Sequence, residues 1–387
     1  VRRKADAIHP GFGFLSENAK FAKLCAECNI AFIGPSAEII NRMGNKSEAR
    51  RTMMDAGVPV VPGSKEPVHQ AAEALEMAKS IGFPVMIKAS SGGGGKGMRI
   101  SRGEADFTEN FNAAQMESVK GFSDDTMYIE KYIEKPRHIE FQIMADKHGN
   151  VVHLGERDCS IQRRHQKVLE EAPCDVITQD LRERMGDTAV RAAKAVGYEN
   201  AGTIEFLLDK NKDFYFMEMN TRLQVEHPVT EAVTGQDLVA WQLAVAEGKP
   251  LPLTQEEVVL RGHAVEARLY AEDVAAGFLP ASGPIHWLHW PVGVRIDTGV
   301  TAGDEVSPYY DPMIAKLIAH GQNVTLVMKD SIPQRILLKD FQGDMRLVDE
   351  DFPQAQSLPE QVKAVTARLS ADYIIHDLQT GNFVTVL

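Results

Sequence analysis

Apolar and polar positions alternate most regularly between residues 201 and 228. Ala201-Gly-Thr-Ile-Glu-Phe-Leu-Leu-Asp209 has the composition of a strand, Lys210-Asn-Lys-Asp213 that of a polar turn, and Phe214 begins a returning strand. In the return, Glu218, Asn220, Arg222, Gln224 and Glu226 fall at every second position. An extended chain sets all five on one face and turns Met217, Met219, Leu223 and Val225 toward a core. With Asp209 facing Phe214, the register places Glu205 opposite Glu218. Like charges directly opposed destabilise a hairpin. A bridging hard cation such as Mg²⁺ removes the repulsion, with Asn220 alongside as a further oxygen donor. A solvated polar hairpin face is the bland reading, and the paired glutamates argue against it.

Elsewhere the pattern predicts a helix from Val68 to Ile81, stopped by Gly82 and Pro84, and then the short apolar strand Phe83-Pro-Val-Met-Ile-Lys88. Another helix is expected from about Glu17 to Glu27, placing Cys25 and Cys28 on one face, before the strand Ile30-Ala-Phe-Ile33. Near the end, 324–339 is hairpin-like, and 360–370 spaces Val362, Val365 and Leu369 for one helical face. Phe383-Val-Thr-Val-Leu387 is an apolar strand with no visible partner in the sequence, an edge prone to aggregation. A loosely packed tail, cut by protease before the rest of the chain, is the expectation.

Two loops carry candidate chemistry. Lys88 is followed by Ala89-Ser-Ser-Gly-Gly-Gly-Gly-Lys-Gly97. Four successive glycines, Gly92, Gly93, Gly94 and Gly95, cost backbone entropy, and bare amides able to close around phosphate oxygens justify that cost. The loop is not a P-loop, because Ser90 stands where the first glycine belongs and Gly97 where Ser or Thr belongs. Further on, Arg157, Arg163, Arg164, His165 and Lys167 crowd into eleven residues of a chain whose net charge is −12. A local cationic pocket in an acidic protein suits a small anionic substrate and does not suit nucleic acid, which needs a broad basic surface.

At 387 residues and 44% hydrophobic content there is core for two or three domains. No apolar run approaches a membrane span and no signal peptide opens the sequence. The expectation is a cytoplasmic protein, or a mitochondrial matrix protein in a eukaryote. Cys25, Cys28, Cys159 and Cys174 give no zinc pattern and read as free thiols.

The motifs together resemble the biotin carboxylase component of biotin-dependent carboxylases, a branch of the ATP-grasp ligases. The resemblance is carried by His9-Pro-Gly-Phe-Gly-Phe-Leu-Ser-Glu-Asn18, Met43-Gly-Asn-Lys46, Lys88 with its glycine loop and Glu130-Lys-Tyr-Ile-Glu-Lys-Pro-Arg-His138. The runs 157–173 and 218–228, Arg261-Gly-His-Ala-Val-Glu-Ala-Arg268 and Tyr309-Tyr-Asp-Pro-Met-Ile-Ala-Lys316 extend it to residue 321 or so. It implies an α/β (α+β) fold: an ATP-grasp domain at 45–245 with its lid at about 60–132, a partial α/β domain at 1–44 before it, and a small C-terminal domain at 255–321.

By the same resemblance, Glu130, Lys131, Ile133 and Leu207 meet the adenine. Lys46, Lys88, His138 and Gly92 to Gly95 take the phosphates, and Gln162 and His165 contact the nucleotide. Glu205, Glu218 and Asn220 hold Mg²⁺ or Mn²⁺. Lys167, Arg222, Gln224 and Val225 bind bicarbonate, Glu226 is the general base, and Arg295 stabilises the biotin enolate. The implied partners are a biotin carboxyl carrier domain, a carboxyltransferase subunit and a second copy of the chain. No Ala-Met-Lys-Met biotinylation site occurs, so biotin comes from another chain or domain. Gly248 to Glu257 and Ala271-Glu-Asp273 resemble the methylcrotonyl type of acyl-CoA carboxylase α subunit. The family's opening βαβ units do not precede Ala7, and 324–387 departs from the family to resemble part of siderophore synthetases of the ferric-reductase-like type. An N-terminally truncated fusion or chimera is therefore expected. The competing readings are another ATP-grasp ligase and an inactive nucleotide-binding fragment.

Overall fold

Strand Val85–Ala89 shows how alternation becomes structure: Val85, Ile87 and Ala89 are buried, while Met86 and Lys88 are half-buried on the other face. In the computed structural model it is the middle of a three-stranded antiparallel sheet, between Met98–Ser101 and Met127–Lys131. The structure describes residues 5–64, 66–89, 97–122, 124–164, 166–274, 276–291, 293–329, 332–339, 373–377 and 383–386, with backbone alone for 121–122 and beyond 322. The chain divides into two units, one of 1–44, 139–204 and 219–387, the other of 45–138 and 205–218.

In the second unit, helices Ala71–Ile81 and Glu104–Phe122 cover the three-stranded sheet. Phe107 and Phe111, one turn apart, stack at 6.1 Å and pack with Ala74, Ala78, Ile87 and Ile129. The first helix starts at Ala71 and not at Val68. The Val68 amide donates to the Met127 carbonyl at 2.8 Å and its own carbonyl accepts from Met127 at 3.1 Å, so its backbone is committed to a β-bridge. Gly82, at φ 84°, ends the helix as expected, in a conformation that costs glycine least.

In the first unit, Ala7–Ile8 and Ala31–Phe32 pair in parallel beside helix Ala19–Glu27, which Asn18 caps through a 2.9 Å bond from the Phe21 amide. Cys25 is buried in that helix. Cys28 lies beyond its end and is exposed, so the two thiols do not share a face. The main sheet has the strand order Phe214–Asn220, Asn200–Leu208, Arg137–Ala145, Val151–Arg163, Gln166–Ala172, His263–Tyr270, Met313–Gly321, Arg295–Thr298. Helix His227–Thr234, with Pro228 in its first turn, lays Val229 and Val233 against Ala172, Ala264 and Ile318 of this sheet.

The hairpin expected at 324–339 is present as Asn323–Lys329 and Ile332–Lys339. Phe383–Val386 is not unpartnered, since it pairs antiparallel with Tyr373–Asp377 in a four-stranded sheet. The helix expected at 360–370 lies outside the described residues. Among the described residues no helix is long and apolar enough to cross a membrane.

Candidate active site

The predicted polar row does not form one strand. The return strand ends at Asn220, and Met217 is 38% exposed, not turned into a core. Two interactions bend the chain away. Glu17 accepts the Thr221 amide at 2.9 Å, and Pro228 starts a helix for which Glu226 is the capping residue. The row nevertheless converges, because Arg222 donates to Gln224 at 2.9 Å, to Asn220 at 3.3 Å and to Glu17 at 2.8 Å. Leu223 is buried as expected and Val225 is half-buried.

Glu226 is the centre of the first unit's charged cluster. It is 1% exposed. Lys167 donates to its Oε1 at 2.7 Å and Arg268 to its Oε2 at 2.9 Å, so each oxygen faces a cation. Lys167 also donates to Glu140 at 2.6 Å. Glu140 in turn accepts from Arg157 at 2.5 Å, and the fully buried Arg157 reaches Gln142, Thr230 and Thr203 as well. Burial opposes the charge of Arg157, but Glu140 and Glu226 outweigh it and raise the pKa. Lys316 donates to the Val225 carbonyl at 2.6 Å and holds the turn before the helix. A carboxylate between an ammonium and a guanidinium, with Arg222 and Gln224 at hand, can accept a proton from a small oxyanion and stabilise the charge that develops.

Arg295 is not part of this cluster among the interactions described. It donates to Glu231 at 2.6 Å and to Asp297 at 2.8 and 3.0 Å, on a cavity of about 730 Å³ that His227, Gly293 and His320 also line. The guanidinium at Glu226 is Arg268, which the sequence reading quoted within a motif and gave no task. Glu140 was missed and Lys316 given no task, while Arg157, expected among the cations facing a small anion, is fully buried against Glu140. The clue available for Arg268 was a charged residue ending an alternating apolar run, Ala264-Val-Glu-Ala-Arg268.

Most of the described residues predicted to meet the nucleotide belong to the second unit. Lys88 forms an ion pair with Glu130, and Lys131 donates to the Gly82 and Phe83 carbonyls at 2.8 and 2.9 Å. His138 lies 2.8 Å from Glu205, which is 3% exposed. Leu207 is half-buried on a strand whose other residues are buried. Ile133 is half-buried, and Lys46 is exposed at the start of helix Lys46–Asp55. Gln162 lies in the first unit, its amide donating to the Cys159 carbonyl at 2.8 Å. Gly92, Gly93, Gly94, Gly95 and His165 lie outside the described residues.

Residues 45–254 match the family described as Carbamoyl-phosphate synthase L chain, ATP binding domain. Residues 1–40 and 266–338 match the biotin carboxylase N-terminal and C-terminal domains. A biotin carboxylase of Nostoc sp. is 60% identical over 323 residues, which are 83% of this chain and 72% of that protein. The chain belongs to the biotin carboxylase family. As a member it is an ATP-grasp ligase of mixed α/β fold, in a family that uses ATP, Mg²⁺ and biotin. The mitochondrial methylcrotonoyl-CoA carboxylase subunit alpha of Glycine max is 58% identical over 86% of this chain, but the chain spans only 46% of that protein. The biotin carboxylase domain of Hydrogenobacter thermophilus 2-oxoglutarate carboxylase, solved as a dimer with MgADP, ADP and bicarbonate, is 49% identical with a TM-score of 0.72, covering 83% of this chain and 72% of that one. Residues 309–387 also match the Ferric iron reductase FhuF-like transporter family, overlapping the biotin carboxylase C-terminal match over 309–338.

Proposed function

We propose that this chain carboxylates biotin from ATP and bicarbonate, with Glu226 as the base that deprotonates bicarbonate. The observation that carries the reading is the clamp on Glu226 by Lys167 and Arg268. Arg222, Gln224 and Lys167 hold the anion, with the Val225 backbone alongside. Glu226 takes its proton, and the bicarbonate oxygen attacks the γ-phosphorus, releasing ADP and forming carboxyphosphate. Carboxyphosphate breaks to CO₂ and phosphate. The phosphate accepts the ureido N–H proton of biotin, and the resulting nitrogen attacks CO₂. Arg268, already beside Glu226, stabilises the enolate in place of Arg295.

Lys46, Lys88 and His138, with Gly92 to Gly95, neutralise the nucleotide phosphates, Gln162 and His165 contact the nucleotide, and Glu130, Lys131, Ile133 and Leu207 meet the adenine. Glu205 and Glu218 suit Mg²⁺. They lie on adjacent strands and both offer oxygen, the donor atom that a hard cation takes. They would hold the ion with Asn220, and the ion supplies charge neutralisation on the transferring phosphate.

The same reading divides the chain into an N-terminal portion at 1–44, an ATP-grasp domain at 45–245 with its lid at about 60–132, a C-terminal portion at 255–321 and a distinct tail at 324–387. It makes a biotin carboxyl carrier, a carboxyltransferase subunit and a second copy of the chain the partners. The methylcrotonyl type of acyl-CoA carboxylase is the assembly favoured, in the cytoplasm or the mitochondrial matrix. The test is ATP cleavage by the purified chain with bicarbonate, stimulated by free biotin. ATP binding with no bicarbonate-dependent cleavage would overturn the reading in favour of an inactive nucleotide-binding fragment.

Two substitutions probe the assignments. Glu218→Gln is expected to abolish Mg²⁺-dependent ATP turnover while circular dichroism and melting stay those of the parent. Normal turnover in this variant would sink the metal assignment. Arg268→Ala should lower biotin-stimulated carboxylation by about a hundredfold or more, the scale seen when one charge-stabilising donor is lost. Arg295→Ala should stay close to the parent, because it leaves both cations on Glu226. The reverse order of losses would restore Arg295 to the reacting edge.

A further inference from the structure

Behind Arg268 the sheet sets two buried carboxyls against each other. Glu266 on strand His263–Tyr270 is the register partner of Glu170 on strand Gln166–Ala172, and the two are 0% and 1% exposed. Glu170 accepts from Arg268 at 2.7 Å through one oxygen. Its other oxygen and both oxygens of Glu266 have no hydrogen-bond partner among the described residues. A buried ionised carboxylate without a partner is among the most costly arrangements a protein can hold.

The charge balance points the same way. The ion pairs on the neighbouring elements form two balanced sets, Glu140, Glu170 and Glu226 with Arg157, Lys167 and Arg268, and Glu231 and Asp297 with Arg295 and Lys316, and Glu266 stands outside both. Arg157 and Lys167 serve Glu140 and Glu226, while Arg295 and Lys316 serve Glu231 and Asp297. Arg268 is left to satisfy Glu170 and to share Glu226. One carboxyl is in excess, and Glu266 is the one with nothing to bind it. On helix His227–Thr234, which also carries Glu231, burial first and then Lys316 depress the His227 pKa to about 3, so it adds no charge. Ile318, the other register partner of Glu266, is apolar.

We propose that Glu170 and Glu266 form an acid pair carrying a single proton, with Glu266 neutral and Glu170 ionised, and that ionised Glu170 is the positioning residue holding Arg268 against Glu226. The proposal rests on the reading of Glu226 as the base. Burial, then the neighbouring Glu170, pushes the Glu266 carboxyl well above its ordinary 4.5, and burial raises Glu170 less, against the pull of Arg268. Two like charges opposed in a dry sheet cannot both persist when one guanidinium is available. Arg268 needs an ionised partner on its far side to keep its fork turned toward Glu226, and a neutral Glu266 lets Glu170 be that partner.

The experiment compares the full chain with Glu266→Gln and Glu170→Gln. A carboxyl whose pKa is raised by folding binds its proton more tightly in the native than in the unfolded state. Stability then falls as pH rises from the unfolded value through the folded one. The parent should therefore lose melting temperature from about pH 4.5 to beyond pH 7, and Glu266→Gln should melt higher at pH 7 with a flatter profile. In the infrared, the parent at pH 7 should show the carbonyl stretch of a buried carboxylic acid, and Glu266→Gln should lack it. In ATP cleavage, Glu170→Gln should lower kcat about tenfold to a hundredfold at unchanged KM for ATP, the scale of one hydrogen bond to a charged group. Glu266→Gln should keep its kcat within about twofold, well under that scale. A parent without the acid band, or a Glu266→Gln that loses as much stability and kcat as Glu170→Gln, overturns the proposal. A parent with no bicarbonate-dependent cleavage removes the function reading and the positioning role together, while the infrared band and the melting profile still decide the acid pair.

Discussion

Glu226→Gln is expected to lower bicarbonate-dependent ATP cleavage by about a hundredfold to ten-thousandfold, the range a positioned general base supplies. The amide keeps the volume of the side chain and its place at the head of helix His227–Thr234, but it cannot accept a proton from bicarbonate. It also leaves Lys167 and Arg268 without the carboxylate each now touches at 2.7 and 2.9 Å. The excess positive charge should tighten binding of anions while the chemistry slows, so KM for bicarbonate should fall or hold as kcat collapses. That split separates a base from a binding residue, which would raise KM at constant kcat. The measurement is initial-rate ATP cleavage against bicarbonate concentration. A kcat within about threefold of the parent, far below what a general base supplies, would remove Glu226 from the chemistry.

The clamp on Glu226 was only half legible in the sequence. Lys167, Arg222, Gln224 and Glu226 stand in dense polar motifs, and a motif advertises itself because so many polar groups at one spacing are hard to bury without a ligand. Arg268 and Glu266 carry a weaker signal: they alternate with Val265 and Ala267 in one strand, as the outer face of a half-solvated strand would also read, and Glu170 sits beside Glu171 with nothing local to mark it as the buried one of the two. Their burial depends on partners 59, 98 and 42 positions away, in the pairs Lys167–Glu226, Arg268–Glu170 and Arg268–Glu226. Only sheet pairing brings these together.

Period-2 reasoning failed for a similar reason at 221–226. Alternation fixes a face only where the chain stays extended, and Glu17, some two hundred positions earlier, captures the Thr221 amide and ends the strand. Local punctuation was more faithful. Gly82 acts within one turn of its own backbone and ends its helix where its chemistry predicts, whereas the helix that Pro228 opens was read as extended chain. Motif matching could not tell the two arginines of the C-terminal region apart, whereas pairing does, setting Arg268 against Glu170 and Glu226 and Arg295 against Glu231 and Asp297.

Arg157→Met should be the most destabilising single change in the first unit, costing about 3–5 kcal/mol, the range for breaking a buried ion pair from one side. Methionine fills much of the volume, so the loss is electrostatic. Glu140, 0% exposed, would lose this guanidinium and lean on Lys167, which must serve Glu226 as well. Gln142, Thr203 and Thr230 would lose their buried donor together. Against a typical total of about 5–15 kcal/mol, such a loss is large enough to lower the first unfolding transition by many degrees and to reduce soluble yield. The double variant Arg157→Met with Glu140→Gln discriminates the cause. Removing both charges leaves no carboxylate short of a partner, so it should recover a substantial part of the loss, and the two changes should be strongly non-additive. Chemical denaturation followed by fluorescence gives all three values. If Arg157→Met unfolds at the parent's midpoint, or if the double variant is simply the sum of two losses, the buried network is not what holds this sheet face together.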